Sequence, residues 1–212
     1  MKALIVQGGW EGHEPELMAA FCAEKLKSEG FTVDIADSLD AFDDADSLAR
    51  YQLISPCWTM GTLSPDQSAN LRAAIHAGVG LGGFHGGMGD AFRGDIDYEW
   101  MVGGHFVGHP YVGNYTIELK DPTHPITEGL PSSFDYHSEQ YYMMMDPGVT
   151  VLADTVYHHE GRAITMPVIW IRTWGKGRVF YSALGHKYQE FIDAPAVAQM
   201  TINGLKWAAQ NL

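Results

Sequence analysis

Short apolar runs alternate with amphipathic stretches along the first half of the chain. The run Ala3–Val6 is continuous and ends at two glycines, which predicts a buried strand. Similar runs predict strands at Phe31–Ile35, Tyr51–Ser55 and Val79–Phe84. Strands separated by helices are typical of a parallel sheet covered on both faces. We therefore expect a three-layer α/β sandwich with a mostly parallel central sheet.

Three stretches show the spacing and end signals of helices. Pro15 is suited to a first helical turn, and apolar residues at three-to-four spacing continue to Leu26 before Gly30. Ser64–Gln67 has the pattern of a capping box and starts a stripe that ends at Gly78. A terminal helix is predicted from Pro195 onward. The aspartate-rich residues 37–50 are interpreted as a solvated connection.

The pattern changes after residue 84, because strands follow one another with turns and few helices between them. These strands are predicted at Tyr115–Leu119, Glu139–Met143, Val149–Ala153, Met166–Arg172 and Arg178–Ser182. We expect them to form a partly antiparallel extension of the sheet. No repeat or long linker divides the chain, so residues 1–212 are expected to form a single domain.

Loops that follow strands contain most of the candidate chemistry. In open α/β sheets the binding site lies beyond the carboxyl ends of the strands. The loops expected there are Gly8–His13, Ser55–Gly61, Gly83–Gly89 and Ala183–Lys187. Three of these loops contain a histidine, so the sequence predicts that these histidines meet at one edge of the sheet.

The stretch Gly83–Gly87 has the spacing of a nucleophile elbow, with His85 in the central position. A serine or cysteine would be expected there for acyl transfer, so a Ser- or Cys-hydrolase is not favoured. An imidazole in this position can act as a general base, a metal ligand or a nucleophile.

His186 follows the last predicted strand in the same way, and two imidazoles at one edge can divide acid and base roles. Glu139 and Tyr141 alternate along a strand and should present a carboxylate and a phenol on one face, which suits the recognition of sugar hydroxyl groups. We select His85, His186 and Glu139 as catalytic candidates. The candidates for substrate binding are Trp10, His13, His105, His109, Tyr141 and Lys187.

A metal site is a further interpretation of the histidines. His105 and His109 are four residues apart, but the surrounding glycines and Pro110 argue against a helix that would align them. Together with His13, His137 and Glu139 they could supply a two- or three-histidine site for zinc or manganese. We select His13, His85 and His105 as the candidate ligands. We keep a divalent metal open beside a cofactor-free site.

Composition excludes several classes of protein. The formal net charge of −13 repels nucleic acid and anionic lipid. The longest apolar runs are far shorter than the roughly 18 to 20 residues of a membrane span, and no charged leader precedes an apolar stretch. Cys22 and Cys57 cannot form a disulfide framework. We expect a soluble, unprocessed cytoplasmic protein without nucleic-acid or membrane partners.

Taken in order, these motifs resemble the ThuA-like (trehalose utilisation) family, which has the flavodoxin-like fold of the class I glutamine amidotransferases. The resemblance spans nearly the whole chain. It rests on Gly8–Gly9 with His13, the turn Gly83–Gly87, Asp121–Ile126, Glu139–Tyr142, and Pro167–Trp170 followed by Gly175–Tyr181 and Gly185–His186. It implies that His85 takes the place of the amidotransferase cysteine and His186 that of the catalytic histidine. Glutamine hydrolysis is therefore not expected.

The resemblance also implies a substrate class. Members of the family are associated with the breakdown of trehalose and similar disaccharides, alongside an oxidoreductase that makes a 3-keto sugar. The expected function is cleavage of the glycosidic bond of a 3-keto-disaccharide by a hydrolase or lyase, with a sugar 3-dehydrogenase as functional partner. Two alternatives stay open, a metal-dependent sugar isomerase and a non-catalytic sugar-binding partner. A homo-oligomer is one open alternative for the assembly, because the sequence does not fix the oligomeric state.

Overall fold

The computed structural model describes residues 1–210, and within that range nine strands form one mixed sheet. The strands are β1 (Lys2–Gly9), β2 (Thr32–Ala36), β3 (Leu53–Thr59), β4 (Gly80–Phe84), β5 (Gly104–Leu119), β6 (Ser133–Met145), β7 (Thr150–His159), β8 (Arg162–Trp174) and β9 (Gly177–Ser182). The helices are α1 (Pro15–Ser28), α2 (Ala45–Leu48), α3 (Pro65–Ala77), α4 (His85–Gly89), α5 (Ile96–Val102), α6 (Tyr188–Asp193) and α7 (Pro195–Ala208).

The strand order is β2-β1-β3-β4-β9-β8-β7-β5-β6. Strands β2, β1, β3, β4 and β9 pair in parallel, and β9, β8, β7, β5 and β6 pair antiparallel. The expectation of a mostly parallel central sheet is wrong. The antiparallel strands are long, with 16 residues in β5, whereas β3 and β4 pair only at Leu53–Gly80 and Ile54–Leu81.

Helices cover both faces of the parallel half of the sheet. Helices α1 and α7 contact each other and pack on one face, and α3 lies on the other face with α2 and α5. The predicted three-layer α/β sandwich is therefore found in the parallel half of the sheet. Among residues 1–210, none of the helices combines the length and the apolar character needed to span a bilayer.

Helix α3 shows how local sequence sets an element. The Ser64 side chain accepts a hydrogen bond from Gln67 N at 3.1 Å, and Gln67 Oε1 accepts one from Ser64 N at 2.9 Å. This is the expected capping box, which satisfies donors that a helix start leaves free. The helix ends at Gly78, whose φ of 130° favours glycine.

The acidic connection at residues 37–50 is more ordered than its composition predicts. It contains a short 3₁₀ helix at Leu39–Phe42 and the helix α2. Phe42 and Leu48 are fully buried, so two apolar side chains fix a segment whose aspartates face outward. Their burial follows from packing against α3, which the local pattern does not reveal.

Four helices (α2, α4, α5 and α6) and parts of strands β5 to β8 were not predicted. Helix α5 begins at Asp95, whose side chain accepts a hydrogen bond from Tyr98 N at 3.0 Å. Helices α4 and α6 are a few residues long and follow β4 and β9 directly. Strand β5 extends from Gly104 although the prediction began at Tyr115, because β6 supplies a hydrogen-bonding partner along its length. The long β5–β6 hairpin brings Glu139 to the carboxyl edge of the parallel strands.

Candidate functional site

Four side chains from distant segments meet at the carboxyl edge of the parallel strands. His13 follows β1, His85 follows β4, His186 follows β9, and Glu139 comes from β6. One donor atom from each lies within 4.8 Å of the other three. We call these four residues the His–Glu cluster. Three of them lie in loops that the sequence assigned to this edge.

Within the cluster, three donor atoms are especially close. His85 Nε2 lies 3.2 Å from His186 Nδ1 and 3.3 Å from Glu139 Oε2. His186 Nδ1 is 3.5 Å from the same carboxylate oxygen. The ring of His13 stands edge-on to both other imidazoles, with ring centroids 4.9 Å from His85 and 5.0 Å from His186.

The backbone at His85 explains how its ring reaches the cluster. Its φ of 47° is in the left-handed region, between the end of β4 and the start of α4. Such a turn is strained for a residue with a Cβ, and it occurs where a side chain must be presented at a strand end. Tyr181 Oη donates a hydrogen bond to His85 O at 3.0 Å, which fixes the turn from β9.

Neighbouring groups orient two of the imidazoles. His85 Nδ1 lies 2.9 Å from the carbonyl oxygen of Ala183. A carbonyl can only accept, so Nδ1 bears the hydrogen and Nε2 is directed at the cluster. His13 Nδ1 lies 2.7 Å from Thr59 Oγ1, which holds the second ring. Thr59 is the last residue of β3 and Ala183 directly follows β9, so both partners lie at the carboxyl edge of the parallel strands.

Glu190 in α6 ties the His186 loop to β6. Its carboxylate accepts hydrogen bonds from His186 N at 2.9 Å, from Ser138 Oγ at 3.0 Å and from the hydroxyl group of Tyr136. The Tyr136 oxygen in turn accepts a hydrogen bond from Gly185 N at 3.0 Å. These bonds fix His186 relative to Glu139, because Ser138 is the neighbour of Glu139 in β6.

The cluster favours the neutral forms of His13 and His186 and the ionised form of Glu139. Burial, together with the nearby His85 and His186, lowers the pKa of His13 to about 3. Burial and His85 also lower the pKa of His186. Burial alone would raise the pKa of Glu139, but the hydrogen bond and charge of His85, with His186 and His109, lower it to about 2.

Aromatic rings and one more imidazole surround the cluster. Tyr141 is buried and stacks on His85 with ring centroids 4.0 Å apart. Trp10 is exposed and stands edge-on to His13 at 4.7 Å. His109 is half-exposed, and its Nε2 lies 3.6 Å from Glu139 Oε1. His109 also lines a cleft of about 600 Å³ beside Tyr142 and Tyr157.

Two sequence-selected residues lie elsewhere. His105 is not brought to the cluster: its Nδ1 lies 3.1 Å from Glu99 Oε2, so the proposed ligand set of His13, His85 and His105 does not assemble. Strand β5 has two register irregularities, between Phe106 and Gly108 and between Gly108 and Tyr111, so His105 and His109 do not lie on one regular stretch of strand. Lys187 is exposed and lines a cleft of about 410 Å³ with Glu190 and Asp193.

Sequence reasoning missed the residues that support the cluster. Thr59 is the last residue of β3 and lies within the stretch Ser55–Gly61 that the sequence assigned to this edge. The sequence therefore indicated where Thr59 lies but not that it would hold His13. Ala183 acts through its carbonyl oxygen, for which a sequence holds no signal. Glu190 lies in a helix of six residues that was not predicted.

Comparison with known proteins identifies the family of this chain. A family model described as "ThuA: Trehalose utilisation" matches residues 2–208. The chain belongs to the ThuA family. Membership supports a role of this ThuA-family protein in sugar metabolism. No curated protein matches the sequence significantly.

Solved structures share the fold of this ThuA-family protein. A ThuA-like protein from Bacteroides uniformis ATCC 8492 has a TM-score of 0.79 and 20% identity, covering 98% of this chain and 91% of that chain. A ThuA-like protein from Parabacteroides merdae ATCC 43184 has a TM-score of 0.79 and 19% identity, covering 99% and 90%. A protein from Salmonella typhimurium LT2, described as cytoplasmic, has a TM-score of 0.71 and 15% identity, covering 99% and 100%. At these identities the likeness shows the fold.

Proposed function

We propose that this ThuA-family protein cleaves the glycosidic bond of a 3-keto-disaccharide by elimination followed by hydration. The observation that supports this reaction is the convergence of three imidazoles and one carboxylate within 4.8 Å of one another at an edge of the sheet. Acid and base groups of this kind suit proton transfer near neutral pH. Family membership in trehalose utilisation supports the substrate class.

The chemistry begins at C2 of the keto sugar. The C3 ketone acidifies the hydrogen on C2, so a base removes it and the electron pair forms an enolate. The enolate then collapses to expel the C1 oxygen, and the departing alkoxide takes up a proton. Water adds across the new C1–C2 double bond, with its oxygen on C1 and a proton on C2. The sum is hydrolysis of the disaccharide to a 3-keto sugar and a second sugar.

His85, His186 and Glu139 are the residues that we assign to this reaction. His186 exposes 15% of its side chain against 2% for His85, so it is the more accessible base. Glu139 is a poor acid near neutral pH because its pKa is about 2. Its carboxylate instead stabilises a positive charge on either imidazole, and an imidazole then returns the proton to the leaving oxygen.

The groups around the cluster suggest how the sugar is held. Trp10 offers an exposed indole beside His13, and sugar rings stack on aromatic faces. His109 lies between the cluster and the cleft of about 600 Å³, so that cleft is our candidate site for the leaving sugar. Tyr141 stacks on one face of the His85 ring and thereby holds the ring in place.

The substrate must come from an oxidation at C3 of a disaccharide. A sugar 3-dehydrogenase performs this step, so we propose such an enzyme as the functional partner. The two proteins would act in sequence on a small molecule.

The test follows the products of 3-keto-trehalose and of other 3-keto-disaccharides by mass spectrometry. We expect two monosaccharide products, and in D₂O we expect deuterium at C2 of the keto product above an enzyme-free control. Binding without turnover would contradict catalysis and favour the sugar-binding alternative. Cleavage without deuterium incorporation would contradict the elimination step.

A metal-dependent sugar isomerase is the second candidate. The observation that favours it is the imidazole and carboxylate donor set of the His–Glu cluster. An isomerase would convert a sugar to a product of unchanged mass, and chelation would abolish that conversion.

A further inference from the structure

We propose that His13, His85, His186 and Glu139 together bind one divalent first-row transition-metal ion. The proposal changes the ligand set that the sequence suggested, because Glu139 and His186 replace His105. The four donors come from three loops and one strand, so the complete set exists only in the folded protein.

The first support is the spacing of the donors. A tetrahedral zinc ion with bonds of about 2.0 to 2.2 Å holds its donors about 3.3 to 3.6 Å apart. The three distances among His85 Nε2, His186 Nδ1 and Glu139 Oε2 are 3.2, 3.3 and 3.5 Å. Three donors therefore already outline one face of such a coordination sphere. His13 lies within 4.8 Å and completes the set after a small movement.

The second support is the orientation of the rings. Metal-binding histidines usually donate the hydrogen of their other ring nitrogen to a carbonyl or similar group, which fixes the tautomer. His85 does so toward the Ala183 carbonyl oxygen at 2.9 Å. His13 has Thr59 Oγ1 as the equivalent partner at 2.7 Å. The free nitrogen of each ring is then available to a cation.

The third support is a conflict that a cation resolves. His85 Nε2 faces Glu139 Oε2 at 3.3 Å, and both atoms are acceptors when the ring is neutral with its hydrogen on Nδ1. A hydrogen on His186 Nδ1, which lies 3.2 Å from His85 Nε2 and 3.5 Å from Glu139 Oε2, can relieve this contact in the metal-free protein. A cation relieves it too, and it uses the lone pairs of all three atoms at once.

The donor types select the kind of metal. Imidazole nitrogen suits zinc, copper, iron and nickel, whereas calcium and magnesium prefer oxygen ligands and manganese accepts carboxylate oxygen. Three neutral imidazoles and one carboxylate leave a divalent ion with a net positive charge. Under the proposed function, on which this consequence rests, that charge would face the C3 oxygen of the enolate. With the ion bound, the four side chains would act as ligands, so the acid and base roles assigned above describe the metal-free protein. Turnover measured with and without chelator decides between the two states.

The experiment measures metal binding directly. Protein stripped with a chelator and then dialysed is titrated with ZnCl₂ and MnCl₂ by calorimetry, and bound metal is counted by elemental analysis. We expect one equivalent per chain. His85→Ala and Glu139→Gln should each weaken binding more than tenfold while the near-ultraviolet circular dichroism stays native. Less than about a fifth of an equivalent in the native protein would overturn the proposal.

Control variants decide which histidines matter. His105→Ala should keep the native affinity, as should His76→Ala on the exposed surface of α3. A loss in His105→Ala as large as that in His85→Ala would overturn the ligand set. Cobalt substitution adds a readout independent of activity, because the visible absorption of bound Co²⁺ should change in the His13→Ala and His186→Ala variants and persist in His105→Ala.

The outcome also separates this proposal from the proposed function. Stoichiometric binding without cleavage of any 3-keto-disaccharide would contradict the proposed function and leave the metal site standing. Full cleavage in the presence of chelator, by protein shown to contain no metal, would overturn the role of the ion in the reaction.

Discussion

At the scale of residues, the backbone strain of this site lies at His85. A non-glycine residue at φ 47° is disfavoured, and its neighbour Gly86 lies against the His13 ring. The strained turn persists because the Tyr181 hydroxyl group and the Ala183 carbonyl oxygen fix it. A histidine is easily recognised in the sequence as a candidate for chemistry. The orientation of the His85 ring, however, depends on Tyr181 and Ala183, which lie far along the chain.

Removing either imidazole of the central pair should reduce cleavage strongly. We expect His85→Ala and His186→Ala each to lose more than tenfold in kcat/KM on 3-keto-trehalose, because a positioned acid or base contributes roughly 10² to 10⁴ in rate. Steady-state kinetics and circular dichroism on the same samples check this. Two folded variants that keep native turnover would refute the assignment.

A methyl group at position 86 should disturb His13. The Cβ of Gly86→Ala would lie 2.5 Å from His13 Nδ1, which is closer than real contacts allow. We expect the imidazole to move, with a loss of more than tenfold in activity and about 1 to 3 kcal/mol in the free energy of unfolding. Gly108→Ala is the matched control for the free energy of unfolding only, since no atom lies within 4 Å of its Cβ but it lines the cleft proposed for the leaving sugar. An equal free energy of unfolding in the two variants would contradict the prediction.

At the scale of elements, α6 and β6 act together through Glu190. One carboxylate accepts from the His186 backbone, from Ser138 and from Tyr136. The Tyr136 hydroxyl group also accepts from Gly185 N. Helix α6, which follows β9, therefore fixes the position of His186 relative to β6, a strand of the antiparallel half.

Loosening this connection should affect turnover more than substrate binding. Tyr136→Phe leaves Gly185 N without a partner, and an unsatisfied buried group costs about 1 to 3 kcal/mol. It also removes one hydrogen bond to Glu190 Oε2, which keeps those from His186 N and Ser138 Oγ. We expect kcat to fall about tenfold with KM within about twofold, because His186 is displaced from Glu139. Kinetics over a pH series check this. Gln189→Ala, an exposed residue of the same helix whose side chain bonds Asp193, is the control. An unchanged kcat in Tyr136→Phe would contradict the positioning role.

At the scale of the whole molecule, the site requires both halves of the sheet. The parallel half supplies His13, His85 and His186, and the antiparallel half supplies Glu139 through the β5–β6 hairpin. The edge of the parallel strands is therefore covered rather than open. Stability and site chemistry are linked, because the buried cluster must form whenever the two halves pack.

This linkage predicts a loss of stability in acid for metal-free protein. The pKa of His13 is 6.5 in the unfolded chain and about 3 when folded, so only the unfolded chain takes up this proton as the pH falls from 6.5 toward 3. Glu139 acts in the same direction, since its folded pKa of about 2 lies below 4.5 and its contribution is lost as the pH falls through 2.

We therefore expect the free energy of unfolding to fall between pH 6.5 and pH 4, by at most about 1.4 kcal/mol per pH unit for each such group. Urea unfolding followed by tryptophan fluorescence in the presence of chelator measures it. His13→Gln should flatten this pH dependence. A slope identical to that of the native protein would contradict the assignment to His13.

The sequence determined the local features of this protein. The strands β1 to β4, the capping box of α3, the helix at Pro195 and the strand-end positions of His13, His85 and His186 follow from periodicity, caps and the rule that sites lie at carboxyl edges. The motif order also indicated the ThuA family, which the family model confirms. These signals are local because helix and strand periods repeat over a few residues.

Only the tertiary structure decided which groups share a site. Antiparallel pairing of β5 and β6 placed Glu139 in the cluster, whereas His105 lies outside it beside Glu99. The partners of the imidazoles, Thr59 and the Ala183 carbonyl oxygen, are set by strand order rather than by residue spacing. The physical reason is that pairing register and burial depend on contacts between distant segments, and no local pattern encodes those distances.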